Sequence, residues 1–139
     1  MKVETPKTQA LIGRPGTGRI ELPGVTVQFR TPFVSTIFTP LDDLPLVESR
    51  RILITALAQD KQAGSRYSGD GTRLEAVGTA PLLLEPVQAT IRFRGVKPVR
   101  VTPCDHYGVP TPGARVPVDG DGAFEIDGRY RAYYYAVER

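Results

Sequence analysis

Hydrophobic and polar residues alternate along several short segments of this chain. Val25, Val27 and Phe29 are separated by polar residues, and the same alternation recurs over residues 87–94. A period of two is typical of a half-buried β-strand. Residues 51–59 carry adjacent apolar residues and predict a central strand buried on both faces. We predict about ten short strands, at residues 8–12, 19–22, 25–30, 33–39, 51–59, 82–85, 87–94, 99–102, 115–118, 123–126 and 133–137.

Glycine and proline separate these segments. The chain has fourteen glycines and thirteen prolines, scattered without a period. The run Asp119-Gly120-Asp121-Gly122 between two predicted strands indicates a hairpin turn. No segment predicts an amphipathic helix, and the connections are too short for the crossover helices of a parallel sheet. The predicted fold class is therefore all-β, an antiparallel β-sandwich of jelly-roll type.

The length of 139 residues provides one hydrophobic core, so residues 1–139 are predicted to be a single domain. Residues 1–7 are predicted to be a polar lead-in without the apolar segment of a signal peptide. No apolar run is long enough to span a membrane, and we predict no membrane partner. A module excised from a larger multidomain secreted protein would begin in the same way, and we expect this chain to be one.

The inventory of reactive side chains excludes several function classes. One cysteine, one histidine and no tryptophan are present, which excludes a disulfide framework and a Cys/His zinc site. Cys104 and His106 would share a strand face, but neighbouring prolines and turns favour a buried thiol and an incidental loop histidine. Residues 13–18 lack the Gly-Lys-[Ser/Thr] ending and following helix of a phosphate loop. We predict no catalytic residue and no enzyme activity, and a small independent hydrolase is the least favoured alternative.

Charge adds little to this picture. The net charge is +3 and the pI is about 9.2, which is only mildly basic. Arg92 and Arg94 share one strand face with Gln88 and Thr90, and no aromatic platform accompanies them. Nucleic-acid binding generally combines basic residues with such a platform. We predict a solvated strand face and no nucleic-acid partner.

Four closely spaced carboxylates are the candidate metal ligands, at Asp119, Asp121, Glu125 and Asp127. Calcium prefers six to eight oxygen ligands, and the EF-hand pattern fails because Ala123 and Phe124 occupy required positions. Hairpin chemistry is the favoured interpretation. Calcium at Asp119 and Asp121 stays open as an alternative, and no other cofactor is predicted.

Tyrosine makes up six of the eleven aromatic residues. In a strand over residues 133–137, Tyr133, Tyr135 and Val137 would face the core, leaving Tyr134 outward between Ala132 and Ala136. Such an apolar patch predicts docking to a sugar ring or to a partner domain, with Tyr130 and Tyr134 as the candidate residues. The alternative is a strand covered on both faces within its own sandwich.

Three segments carry a family resemblance. They are residues 40–56 (Pro-Leu-Asp-Asp-Leu-Pro through Ser-Arg-Arg-Ile-Leu-Ile-Thr-Ala), residues 78–91 (Gly-Thr-Ala-Pro through Glu-Pro-Val-Gln-Ala-Thr-Ile) and residues 133–137 (Tyr-Tyr-Tyr-Ala-Val). Together they resemble the C-terminal ancillary β-sandwich domains of large bacterial glycoside hydrolases, over most of residues 5–138. The resemblance implies a catalytic TIM-barrel domain in cis, which carries the acid and base residues, and an extracellular or periplasmic location.

The resulting expectation is a non-catalytic carbohydrate-binding module of a secreted glycoside hydrolase. Residues 60–73 are the longest polar stretch, and long ordered loops are often functional. We predict that Tyr67 stacks on a sugar ring of a polysaccharide or oligosaccharide, while Arg66, Asp70 and Arg73 bond its hydroxyls. The alternative function is a purely structural sandwich that docks on and stabilises the catalytic domain without binding sugar.

Overall fold

A computed structural model describes residues 1–139 and contains fourteen β-strands and no α-helix. Every strand pair is antiparallel, which confirms the predicted all-β class. No helix is long and apolar enough to cross a membrane. The strands are β1 (Lys2–Glu4), β2 (Gln9–Gly13), β3 (Arg19–Glu21), β4 (Val25–Phe29), β5 (Val34–Pro40), β6 (Arg51–Leu57), β7 (Asp60–Ala63), β8 (Arg66–Tyr67), β9 (Leu74–Ala76), β10 (Thr79–Leu84), β11 (Ala89–Phe93), β12 (Arg100–Pro103), β13 (Ala123–Ile126) and β14 (Tyr134–Glu138).

Two larger open sheets contain most of these strands. One has six strands in the order β1-β2-β5-β6-β14-β12, and the other has four in the order β13-β11-β4-β3. A single cluster of 21 buried hydrophobic residues draws side chains from both sheets. Phe38 of β5 meets Phe93 of β11 edge to face, with ring centroids 5.9 Å apart. One core is therefore shared by the two sheets.

The alternating segments form strands at the predicted places. In β4, Val25, Val27 and Phe29 are buried, and in β11 the core side chains are Ala89 and Ile91 together with Phe93. Strand β6 lies centrally between β5 and β14, as predicted. Its two faces differ, however, because Ile52 and Ile54 are fully buried whereas Leu53 and Thr55 are half-buried.

Three local predictions are wrong. Residues 1–7 are not merely a lead-in, because β1 extends the six-stranded sheet by pairing with β2. Residues 115–118 form no strand and contribute only isolated bridges, Val101 with Val116 and Val118 with Phe124. Residues 60–73 are not one loop, because they contain β7 and β8. In each case the outcome depends on backbone pairing with another segment, which the hydrophobic pattern of the segment itself does not reveal.

Strands β7 to β10 form an extension that we call the arm, residues 60–84. β7 pairs with β10 and β8 pairs with β9, in two separate two-stranded sheets. Neither pair joins the two larger sheets. The two chain segments approach each other so closely that a Cβ added at Gly78 would lie 2.1 Å from the carbonyl oxygen of Ala63. Glycine is therefore required where β10 begins.

Candidate functional site

Strand β10 exposes every one of its six residues, although three are leucines. The exposed fractions are 58% for Leu82, 48% for Leu83 and 48% for Leu84. Since successive side chains of a strand point to opposite faces, Leu82 and Leu84 share one face and Leu83 lies on the other. The arm is thus apolar on both sides of β10. We call these three residues the leucine row.

An apolar groove lies where the arm meets the six-stranded sheet. It encloses about 330 Å³. Leu82 and Leu84 form its arm side, and Leu57, Ala132 and Tyr133 form its other side. Ala132 also packs against the hydrophobic core. We call this feature the arm-base groove, and its apolar lining suits an apolar side chain of another molecule.

A second, more polar concavity lies around Tyr67 and encloses about 480 Å³. Tyr67 is 48% exposed. The arm contributes Tyr67 and Asp70 together with Asp60, Lys61 and Gly71, and the rest of the chain contributes Arg14, Phe33, Ala58 and Gln59. We call it the tyrosine concavity. An aromatic ring beside charged and amide groups is chemically suited to a sugar.

Asp70 organises the tip of the arm. Its carboxylate accepts hydrogen bonds from Ser68 Oγ at 2.5 Å, from the Thr72 amide at 3.1 Å and from Thr72 Oγ1 at 2.8 Å. These bonds favour the ionised form, and the Ser68 hydroxyl above all lowers the pKa of Asp70 from 3.8 to about 2. Asp70 is therefore ionised at neutral pH, with its oxygens engaged in the turn.

The four residues predicted for sugar contact do not all lie in one concavity. Tyr67 and Asp70 line the tyrosine concavity, whereas Arg66 and Arg73 do not. Both arginines are exposed. Arg66 precedes Tyr67 in the two-residue strand β8, whose pairing with β9 is irregular at this point, and Arg73 lies just before β9 rather than in it.

The two tyrosines predicted for docking also lie apart. Tyr130 packs partly against the core and meets Tyr135 edge to face at 6.2 Å. Tyr134 is half-buried on the outer face of β14, with its ring 4.6 Å from that of Tyr133. The expected outward set is wrong in one member, because Ala132 packs inward. Tyr133 is only half-buried, since β14 begins one residue later and the alternation does not extend back to it.

The carboxylates of Asp119 and Asp121, which were the candidate metal ligands, form hydrogen bonds or ion pairs within the protein. Asp119 Oδ1 accepts the amides of Asp121 at 2.9 Å and Ala123 at 2.8 Å, and these bonds, led by that of Ala123, lower the pKa of Asp119. They form the turn before β13. Asp121 pairs with Arg92 at 3.6 Å. No group of three or more Asp, Glu, His or Cys side chains is placed to hold a metal ion.

Cys104 is buried, and its thiol donates to the Thr102 carbonyl oxygen at 3.7 Å. Burial raises the pKa of Cys104, so the neutral thiol predominates at neutral pH. His106 is exposed and lies against the Tyr107 ring, with centroids 4.0 Å apart. The two side chains therefore occupy different environments.

The leucine row is the surface feature that the sequence pattern did not single out. Residues 82–85 read as a short apolar strand, and nothing in that pattern states whether such a strand is covered. One signal was present: Leu82, Leu83 and Leu84 are consecutive, while their partner strand at residues 60–63 is almost entirely polar. An apolar strand paired only with a polar one has no apolar neighbour in its own ribbon.

Comparison of the chain with protein-family models, with curated proteins and with solved structures finds no match.

Proposed function

We propose that this chain is a non-catalytic module that docks on another protein domain through its arm. In this proposal the two larger sheets form an antiparallel β-sandwich of jelly-roll type, and the arm extends from it. The observation that carries the proposal is that all six residues of β10 are exposed, including the three leucines of the leucine row. An isolated two-stranded ribbon is marginally stable in water, so a covering partner would stabilise the arm.

The energetics favour docking over folding as the role of the leucine row. The three leucines belong to no part of the buried core. Each is about half exposed, and covering the exposed half of a leucine contributes about 1 kcal/mol. Docking would therefore gain roughly 3 kcal/mol from these side chains before any contact in the arm-base groove.

The resemblance of residues 40–56, 78–91 and 133–137 to ancillary domains of bacterial glycoside hydrolases supplies the partner in this proposal. The partner is a catalytic TIM-barrel domain in cis, outside the cytoplasm. An apolar side chain of that domain would enter the arm-base groove, whose rim carries one acidic residue, Glu85, and one basic residue, Arg131. Recognition would then depend on apolar contact more than on charge.

Photo-crosslinking tests the docking proposal. A photoreactive amino acid at Leu83 is expected to crosslink to one defined peptide of a folded domain, identified by mass spectrometry from the native host. Val99 is 78% exposed and lies outside the arm, so the same probe there is the matched control. Leu82→Ser together with Leu84→Ser should abolish the crosslink and leave the melting temperature of the chain unchanged. Crosslinks that map only to copies of this chain, or to no defined peptide, contradict the proposal.

Carbohydrate binding is the second candidate function, and the tyrosine concavity favours it. The concavity combines the exposed ring of Tyr67 with Arg14, Asp60 and Lys61. Tyr67→Ala is expected to weaken binding of a neutral polysaccharide about tenfold in affinity electrophoresis, because it removes the stacking surface. Tyr107→Ala is the control, since Tyr107 is 80% exposed on a different loop. Unchanged retardation of the Tyr67 variant on every glycan that the chain binds excludes this site.

A further inference from the structure

The outer face of the four-stranded sheet carries a regular grid of polar side chains. Strand pairing aligns β3, β4, β11 and β13 in two neighbouring rows. The first row is Arg19, Gln28, Thr90 and Glu125, and the second row is Glu21, Thr26, Arg92 and Ala123. Thr26, Thr90 and Ala123 are short, and they leave a low region beside the longer side chains of Arg19 and Arg92.

This low region is a depression of about 220 Å³ between β3 and β13, which we call the arginine depression. It is lined by Arg19, Thr26, Gln28, Thr90, Arg92 and Ala123. Five of these six side chains have hydrogen-bond donors, although the Thr90 hydroxyl already donates to Glu125 Oε1 at 3.2 Å, and no carboxylate lines the depression. Arg19 and Arg92 lie on either side of β4 and two residues apart along it, so their backbones are roughly 12 Å apart, from two strand spacings and two residue rises. An anionic group would fit between two guanidinium groups.

Arg19 has no anionic partner within the protein. The other arginines of this face are paired, Arg30 with Glu125 at 3.4 Å and Arg94 with Glu21 at 2.6 Å. Arg92 has a single, longer pairing of 3.6 Å to Asp121, and Arg19 forms neither an ion pair nor a side-chain hydrogen bond. A guanidinium presents five donors that suit bidentate binding of a carboxylate.

A second concavity adjoins the arginine depression. It encloses about 410 Å³ and shares Thr90 and Ala123 with the depression. Its other lining groups include the Glu125 carboxylate, Arg129 and the ring of Tyr130. This mixture of donors, acceptors and an aromatic ring suits a ligand rich in hydroxyl groups, because each hydroxyl both donates and accepts.

We infer that this sheet face binds an acidic sugar, with the carboxylate between Arg19 and Arg92 and the neighbouring sugar unit towards Tyr130. The site lies on the four-stranded sheet, away from both the arm and the tyrosine concavity. The inference therefore does not depend on the proposed docking function. Because most of the recognition is between charged groups on an exposed face, binding weakens as the salt concentration rises.

Calorimetry with short acidic oligosaccharides tests the inference. Trimers of galacturonate, glucuronate and mannuronate are compared with neutral trimers of the corresponding hexoses and with sodium sulfate. At least one acidic trimer is expected to bind tenfold or more tightly than its neutral counterpart and than sulfate. Arg19→Gln should weaken that binding about tenfold, and Arg92→Gln to a similar extent. Arg115→Gln, an exposed arginine outside the depression, should leave it unchanged.

Two further variants separate this site from the others. Leu82→Ser with Leu84→Ser, and Tyr67→Ala, should bind the acidic trimer as the wild-type chain does. Equal affinity for acidic and neutral trimers overturns the inference, and so does an unaltered affinity in the Arg19 variant. Sulfate binding as tight as that of every acidic trimer identifies a general anion site and overturns the assignment to a sugar.

Discussion

At the scale of single residues, the polar side chains of the interior are almost all satisfied. Gln9 is buried and its Oε1 accepts the Gly24 amide at 2.7 Å. Thr31 donates to the Pro86 carbonyl oxygen at 3.3 Å and accepts the Gln88 amide at 2.7 Å. These bonds cross between distant segments, so they specify which segments meet. The exception is Thr36, whose buried hydroxyl has no hydrogen-bond partner.

Replacing Thr36 by valine is expected to stabilise the protein. Thr36 is fully buried in β5, opposite Leu11 and Ala56 on the neighbouring strands. Valine keeps the shape and removes the unpaired hydroxyl, whose burial costs about 1–3 kcal/mol. The urea midpoint of unfolding should rise by an amount equivalent to about 1 kcal/mol.

The matched control for this prediction is Ser49→Ala. Ser49 is also fully buried, but its hydroxyl donates to the Arg51 carbonyl oxygen at 2.8 Å. Its removal should lower stability by about 1 kcal/mol because it removes this hydrogen bond and the one that the hydroxyl accepts from the Arg51 amide at 3.3 Å. A Thr36→Val protein less stable than the wild type would show that the hydroxyl finds a partner in solution.

At the scale of elements, the arm differs from every other strand pair. Strands β4 and β11 each bury one face against the core, whereas β7 to β10 are exposed or half-buried throughout. The arm is held by its own backbone pairing and by the turn around Asp70. The structure of its tip therefore depends on the hydrogen bonds to the Asp70 carboxylate, which acid can protonate.

Acid is expected to loosen the arm tip before it unfolds the protein. The pKa of Asp70 is lowered to about 2 in the folded state, from 3.8 in the absence of its hydrogen bonds. A lowered folded-state pKa means that the stabilisation is complete above pH 3.8 and is lost as the pH falls through about 2. In an NMR titration, the Thr72 amide should show a transition with a midpoint near pH 2.

The control for the titration is Asp70→Asn, which should abolish the transition at Thr72. Asp43→Asn should leave it intact, because Asp43 lies outside the arm and is paired only with Lys7 at 3.4 Å. A Thr72 midpoint near pH 4 in the wild-type chain would show that these hydrogen bonds do not stabilise the ionised carboxylate of Asp70.

At the scale of the whole molecule, Arg139 connects the two larger sheets. Its guanidinium donates to the carbonyl oxygens of Leu46 at 2.8 Å and Ser49 at 3.1 Å, in the connection between β5 and β6. It also donates to the carbonyl oxygens of Arg94 at 2.6 Å and Val96 at 2.7 Å, beyond the end of β11. Burial lowers the pKa of Arg139, and the group is held by oxygens rather than by a carboxylate.

Arg139→Ala is expected to destabilise the protein by about 3 kcal/mol, since it leaves several carbonyl oxygens unpaired and removes contact with Phe93. Arg139→Lys should recover less than half of the loss, because an ammonium group does not reproduce the planar array of donors. Chemical denaturation measures both. Arg115→Ala, on the exposed surface, should change stability by less than about 0.5 kcal/mol. If Arg139→Ala also lowered stability by less than about 0.5 kcal/mol, that result would contradict the connecting role of Arg139.

The alternating pattern by itself determined the all-β class and most of the strands. Val25, Val27 and Phe29, for example, form one buried face because the period of two applies wherever one side of a sheet meets a core. Tyr67 and Asp70 were also predicted to share a site, and they line the same concavity because only two residues separate them in the arm.

Only the tertiary structure decided which strands are covered and which distant residues meet. Leu83 and Leu84 resemble core residues in sequence, yet β10 pairs only with polar β7 and stays exposed. Arg19 and Arg92 face one depression because β3 and β11 both flank β4. Local propensity acts over a few residues, whereas these arrangements follow from pairings tens of residues apart, whose energies depend on the whole fold.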